Sequence, residues 1–142
     1  MSAFSEDIKK FNGMYKLPVN AKPTLEVGVP VVERLQAFKS ILAEELNEID
    51  DIIVAAKNQT PSLEVLTMLA DLLGDIQVYC ASEMAKFGLP LDQILGIIMQ
   101  SNLSKLGADG QPIYDERGKV QKGPGYWKPE PAILTLLKTA SE

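Results

Sequence analysis

Hydrophobic residues recur at helical spacing along most of the chain, and glycines and prolines separate the stretches in which they do so. A short helix is predicted over residues 5–16, followed by an extended connection that contains three prolines. Two long helices are predicted over residues 30–57 and 61–87, with Thr60 as the cap of the second and Gly88 as its end. Because only a short turn separates the two long helices, they should lie antiparallel.

The pattern changes after a further core helix, which is predicted to open at Pro90 and to close at Gly107. Residues 108–130 are rich in glycine, proline and polar side chains, which predicts a loop with at most a small hairpin. A last short helix is predicted over residues 131–139. The chain is therefore expected to be a single all-α domain over residues 1–142. We expect an antiparallel bundle of four to five helices, with its helical core over residues 30–107 and a loop-rich C-terminal segment.

One carboxylate interrupts the hydrophobic stripe of the helix predicted over residues 30–57. At ~100° per residue, Glu45 falls in the middle of this stripe, Glu48 lies on the same face and Glu44 lies one step round the helix. Burying an unpaired charge costs several kcal/mol or shifts its pKa until the group is neutral. A charged carboxylate at this position therefore needs a positively charged or hydrogen-bonding partner. The apolar members of the stripe are Phe38, Ile41, Leu42, Ile49, Ile52, Ile53 and Ala56.

The second long helix carries a matching pair of acids, Asp71 and Asp75, on a face bordered by Met68 and Val78. Carboxylates converging from two helices repel one another unless a multivalent cation lies between them. Hard carboxylate oxygens without histidine or thiolate partners select Mg²⁺ or Mn²⁺. Helical spacing alone favours a solvated acidic face instead. The apolar surroundings of Glu45 shift the balance towards a metal site.

Composition excludes several classes of protein. Histidine is absent, which rules out Ser-His-Asp and Cys-His nucleophiles and zinc sites of the Cys-His kind. A net charge of -5 argues against general nucleic-acid binding. The single cysteine, Cys80, permits no internal disulfide, and neither a signal-like N-terminal stretch nor a long apolar run is visible. The expectation is a cytoplasmic protein that binds neither nucleic acid nor membrane.

Two sequence patterns resemble those of a known family. EELNE, followed by a second acid-bearing helix, resembles the motifs EExxE and ExxD of the MazG-like, all-α nucleoside triphosphate pyrophosphohydrolases. The stretch SNLSKLGADGQPIYDERGKVQKGPGYWKPEP is similar to the pattern SNxSKL, DG, GKVxKGPxYxxP of one branch of that family. The resemblance covers residues 11–131, and the tail pattern is its more specific part.

This resemblance implies a helical dimer or tetramer that binds magnesium and hydrolyses a nucleoside triphosphate to the monophosphate and pyrophosphate. By position, Glu45, Glu48 and Asp71 would be metal ligands, and Glu44 would be a ligand or orient a water molecule. Met68 stands where the family has the Glu of ExxD, and Glu64 or Asp75 are the candidates to replace it. Asn12 stands where related sequences often carry a histidine.

The phosphates of such a substrate need donors, and this acidic chain concentrates them late in the sequence. The candidate substrate-binding residues are Asn102, Lys105, Lys119, Lys122 and Tyr126. The candidate catalytic carboxylates are Glu44, Glu45 and Glu48. A carboxylate that holds no metal can accept a proton from the attacking water. Asp75 completes the expected set of metal ligands, together with Glu45, Glu48 and Asp71.

Three functions thus follow from the sequence. The first is metal-dependent hydrolysis of the α–β phosphoanhydride of an NTP or dNTP, as nucleotide-pool housekeeping. The second is a catalytically impaired nucleotide-binding or structural oligomer, in which Met68 marks a dismantled metal site. The third is a bundle whose acids serve only an oligomer interface. A homodimer or homotetramer is expected in each case, because three long amphipathic helices leave apolar surface that one small bundle does not cover.

Overall fold

The computed structural model describes residues 2–142, which are mostly helical. The helices are α1 (Ala3–Met14), α2 (Val31–Lys57), α3 (Ser62–Lys86), α4 (Leu91–Leu103) and α5 (Pro129–Ala140). A two-stranded antiparallel sheet pairs β1 (Ile113–Tyr114) with β2 (Val120–Gln121). The predicted all-α class and the small hairpin are confirmed.

The chain divides into two compact units, one that ends at Gly88 and one that begins at Leu89. In the first unit, α2 and α3 pack against each other as a helical hairpin and α1 packs on α3. In the second unit, α4 packs against α5 and the β-hairpin lies between them in sequence. The prediction of a single domain stays a prediction.

Prolines stand at the N-terminal boundaries of the long helices. Pro30 and Pro61 are the N-cap residues of α2 and α3, and neither helix has a side-chain cap. The prediction that Thr60 caps α3 is therefore wrong. The N–H of Thr60 instead donates to the carbonyl of Ala55, which completes the end of α2. Pro30 and Pro61 have extended backbone, with ψ of 136° and 138°, so each helix begins at the residue that follows its proline.

Helix α4 ends at Leu103, four residues before the predicted closure at Gly107. The Ser104 hydroxyl donates to the carbonyl of Ser101 at 2.6 Å, which satisfies an acceptor at the end of the helix. Beyond it the chain pairs with the loop that follows, because the N–H of Gly107 donates to the carbonyl of Gln111 at 2.7 Å. Gly88 does end the α3 region as predicted, with a φ of 66° that favours glycine.

Buried polar contacts fix α1 against α3. Asn12 is fully buried, and its amide nitrogen donates to the carbonyls of Pro18 at 3.2 Å and Ser82 at 3.1 Å. The Ser82 hydroxyl donates back to Asn12 Oδ1 at 2.6 Å. Each polar atom that Asn12 buries is therefore compensated by a hydrogen bond.

An ion network joins the N-terminal part of α2 to the C-terminal part of α3. Glu83 and Lys86 are both 6% exposed, and Lys86 Nζ lies 2.7 Å from Glu83 Oε1. Arg34 Nε, from α2, lies 3.2 Å from Glu83 Oε2, as an ion pair whose alignment is not that of a hydrogen bond. Removing the shared carboxylate would leave two cations without compensation.

Much apolar side-chain surface stays exposed on the helices of the first unit. Helix α2 has no fully buried residue, and Leu35, Leu46 and Val54 are each more than half exposed. Helix α3 has 25 residues and is long and apolar enough to cross a membrane, a property that core helices of soluble proteins share. Its fully buried apolar residues are few, and Leu72 is the most buried of them at 2% exposure.

Candidate functional site

Glu45 lies on α2 in a stripe that is only partly buried, because its members Ile49, Ile53 and Ala56 are exposed in the single chain. Phe38, Ile41 and Leu42 are half-buried, and so is Glu45 itself. The Oε2 atom of Glu45 is inaccessible to solvent and has no hydrogen-bond partner among the described residues. A buried acceptor without a donor is costly. The site therefore holds a carboxylate oxygen for which residues 2–142 provide no donor.

Three other carboxylates raise the pKa of Glu45. Burial raises the pKa of Glu45 above its ordinary value, and the charge of Glu48 raises it further, as do those of Asp75 and Asp71. Burial is the largest of these causes. Glu48, Asp71 and Asp75 therefore lie near enough to Glu45 for their charges to affect its pKa. Glu48, Asp71 and Asp75 are themselves exposed to solvent, so it is Glu45 that takes the inner position.

Tyr79 is a member of this cluster that the sequence reasoning missed. Its side chain lies close enough to the Glu45 carboxylate to lower the pKa of Glu45, against the effect of the other acids. The pKa of Tyr79 is raised, first by burial and then by the charges of Glu45, Asp75 and Glu48. The available signal was spacing, because Asp71, Asp75 and Tyr79 follow one another at four-residue intervals on one face of α3.

The donor chemistry of this cluster fits a hard divalent cation. Glu45, Glu48, Asp71 and Asp75 offer only carboxylate oxygens, and one of these, Glu45 Oε2, is buried without a partner. Within residues 2–142, no group of three or more acidic or cysteine side chains is already gathered closely enough to hold a metal ion. Binding a cation would therefore require the exposed carboxylates to move towards Glu45.

Of the two candidates to replace the missing acid at Met68, Asp75 is the better placed. The charge of Asp75 raises the pKa of Glu45. Glu64 is an exposed residue in the first turn of α3, roughly two helical turns before Asp71. Met68 is half-buried and brings no oxygen to the cluster. Glu44 is exposed, next to the cluster in sequence.

In the second unit, three of the five predicted substrate-binding residues come together. Lys122 Nζ lies 5.0 Å from the centre of the Tyr126 ring, and Lys105 Nζ lies 5.9 Å from it. Both distances allow attraction between the ammonium group and the ring face. Neither lysine makes an ion pair within the described part of the chain. The lysine pair is therefore available to an anion.

The other two predicted residues lie elsewhere in this unit. Asn102 is exposed in the last turn of α4. Lys119 is exposed in the turn of the β-hairpin, where its N–H donates to Asp115 Oδ1 at 2.8 Å. The same carboxylate oxygen accepts from the N–H of Arg117 at 2.9 Å, so Asp115 shapes the turn. The contacts with Tyr126 include neither Asn102 nor Lys119.

Comparison with known proteins identifies a shared fold. No family model matches the chain, and no curated protein matches it. Among solved structures, the chain is similar to a candidate NTP pyrophosphohydrolase from Exiguobacterium sp. 255-15, with a TM-score of 0.51 and 23% sequence identity. The match covers 97% of this chain and 95% of that one. The chain therefore has, over nearly its whole length, the all-α fold of that protein.

Proposed function

We propose that this protein is a metal-dependent nucleoside triphosphate pyrophosphohydrolase, which cleaves the α–β phosphoanhydride of an NTP or dNTP to the monophosphate and pyrophosphate. The observation that carries the proposal is Glu45, whose buried Oε2 lacks a partner among residues 2–142 while three further acids act on the same carboxylate. Such an arrangement is unfavourable in the apo protein and becomes favourable with a cation.

In this proposal, Glu45, Glu48, Asp71 and Asp75 hold Mg²⁺ or Mn²⁺. When bound, such ions neutralise charge on the triphosphate and lower the pKa of water, which is their established role in phosphoryl transfer. Glu44 is exposed and outside the group of proposed ligands, so its carboxylate is free to accept the proton of the attacking water. Lys105 and Lys122 are the proposed donors to the phosphates.

Two independent likenesses support this class of reaction. The tail pattern around residues 101–131 resembles that of MazG-like pyrophosphohydrolases. The structural neighbour is itself described as a candidate NTP pyrophosphohydrolase.

We further propose that the protein is a homodimer or homotetramer and acts in the cytoplasm. Leu35, Leu46 and Val54 of α2 and Leu63 and Leu66 of α3 are each more than half exposed in the single chain. Monomeric proteins rarely expose contiguous apolar patches of large size. Light scattering of the purified protein should therefore give a mass of two or four chains, and a mass of 15.5 kDa would contradict this proposal.

The alternative function is a nucleotide-binding or structural oligomer without turnover. Met68 favours it, because the position offers no oxygen, and so does the lack of a preassembled group of three ligands within residues 2–142. A pyrophosphate-release assay over canonical and damaged nucleotides, with Mg²⁺ and with Mn²⁺, separates the two. Our proposal predicts release that Glu45→Gln abolishes. Background release with intact, metal-independent nucleotide binding would favour the alternative.

A further inference from the structure

Two serine hydroxyls, one in the last turn of α4 and one at its C-cap, bind the backbone of one residue in the C-terminal loop. The hydroxyl of Ser101 donates to the carbonyl of Trp127 at 2.9 Å, and the N–H of Trp127 donates to the hydroxyl of Ser104 at 3.3 Å. Ser104 donates in turn to the carbonyl of Ser101. Ser101 is only 2% exposed. The backbone N–H and carbonyl of Trp127 are thus both bound by side chains more than twenty residues away.

The other end of the same loop lies close to the backbone that follows α4. A Cβ at Gly123 would overlap the carbonyl of Leu106, so residue 123 lies directly on that backbone. The loop is therefore hydrogen-bonded to Ser101 and Ser104 at Trp127 and packed against Leu106 at Gly123. Two such contacts restrict the intervening backbone more than either alone.

The residues between and beside these contacts are the lysine pair and its tyrosine. Tyr126 immediately precedes Trp127, Lys122 immediately precedes Gly123 and Lys105 immediately follows Ser104. The two ammonium groups lie 5.0 and 5.9 Å from the ring centre of Tyr126. Two like charges beside one ring repel each other, and no ion pair within residues 2–142 compensates them. Their proximity therefore depends on the backbone that carries them.

We infer that Ser101 and Ser104 are positioning residues for this lysine pair. By holding the Trp127 peptide, the two hydroxyls keep Tyr126 and Lys122 next to Lys105, so that both ammonium groups reach neighbouring oxygens of one polyphosphate. This inference rests on the proposed function, in which the pair binds the phosphates of the substrate. The hydroxyls act through the loop and do not themselves contact the substrate.

The experiment measures binding of inorganic tripolyphosphate by calorimetry, on the full chain, in low salt with metal chelated. Ser104→Ala and Ser101→Ala should each weaken the affinity about tenfold, the effect of roughly one lost hydrogen bond transmitted to the site. Ser104→Thr keeps a hydroxyl and should retain the wild-type affinity. Ser141→Ala is the matched control, because the Ser141 hydroxyl also bonds a carbonyl, that of Leu137, at the end of a helix.

A second readout separates positioning from simple stability. Trp127 is the only tryptophan, so its emission reports the held peptide directly. Ser104→Ala should change this emission in the native state while the urea midpoint of the protein stays within the range of the control variant. Serine variants that lose stability but bind tripolyphosphate as tightly as the wild type would overturn the inference. A wild type that does not bind tripolyphosphate would overturn it as well.

Failure of the positioning role and failure of the proposed enzymatic function give different results. If the wild type binds tripolyphosphate, the serine variants weaken this binding and no nucleotide is hydrolysed, the serines position an anion site and the enzymatic proposal fails alone. If nucleotides are hydrolysed and the serine variants leave both KM and tripolyphosphate affinity unchanged, the enzymatic proposal stands and the positioning role fails.

Discussion

Replacing Asn12 by alanine should lower the free energy of unfolding by about 3 kcal/mol. The side chain is fully buried and takes part in three hydrogen bonds, two donated to the carbonyls of Pro18 and Ser82 and one accepted from the Ser82 hydroxyl. Each buried hydrogen bond contributes about 1 kcal/mol net, and the groups left behind are poorly accessible to water. Because the two bonds with Ser82 join α1 to α3, their loss should release the N-terminal helix.

The assay is urea denaturation of the wild type, Asn12→Ala, Ser82→Ala and the double variant. Ser82→Ala should cost about 1 kcal/mol in the wild type and almost nothing when Asn12 is already alanine, since the hydroxyl has then lost its acceptor. Asn58→Ala, at an exposed asparagine, should stay within about 0.5 kcal/mol of the wild type. Strictly additive effects, or a cost below about 1 kcal/mol for Asn12→Ala, would refute the anchoring role.

Three further perturbations test other parts of the molecule. Glu83→Ala removes the carboxylate shared by two cations and should cost about 3–5 kcal/mol in urea denaturation; a variant as stable as the wild type would contradict this. The pKa of Glu45 is raised in the folded chain, so between its unfolded value of 4.5 and the higher folded value the native state binds more protons than the unfolded state. The stability of the chelator-treated protein should therefore fall as the pH rises through this range. Glu45→Gln should remove this fall, and an unchanged slope of stability against pH would exclude Glu45 as its source. Gly123→Ala brings a Cβ onto the carbonyl of Leu106 and should lower the melting temperature, whereas Gly125→Ala, which meets open space, should not; equal effects would be inconsistent with the close approach.

The positions of the long helices could be predicted from the sequence, because the apolar periodicity and the prolines are local signals. Pro30, Pro61 and Gly88 mark the helix boundaries to within a residue or two. The end of α4 was not predictable in the same way. Ser104 ends the helix by bonding back to Ser101, and the chain beyond it pairs with residues that come later in the sequence. A contact between distant segments leaves no periodic signal.

The candidate site residues also differ in whether a local sequence pattern predicts them. Glu45 was recognisable because a carboxylate in an apolar stripe breaks a local pattern, and Asp71 and Asp75 follow from helical spacing. Tyr79 was overlooked although it continues that spacing by one turn. The pairing of Lys105 with Lys122 could be expected only from the resemblance of the tail, since the register of the two segments depends on long-range contacts at Gly123 and Trp127.

The central claim is that Glu45 holds a catalytic cation, and the most direct measurement is calorimetric titration of the chelator-treated protein with Mg²⁺ or Mn²⁺. The titration is done with and without a non-hydrolysable nucleoside triphosphate, on the wild type and on Glu45→Gln. Our account predicts that the wild type binds metal more tightly in the presence of the nucleotide and that Glu45→Gln loses this coupling. Absence of metal binding in both proteins, with Glu45→Gln merely more stable than the wild type, would contradict the account.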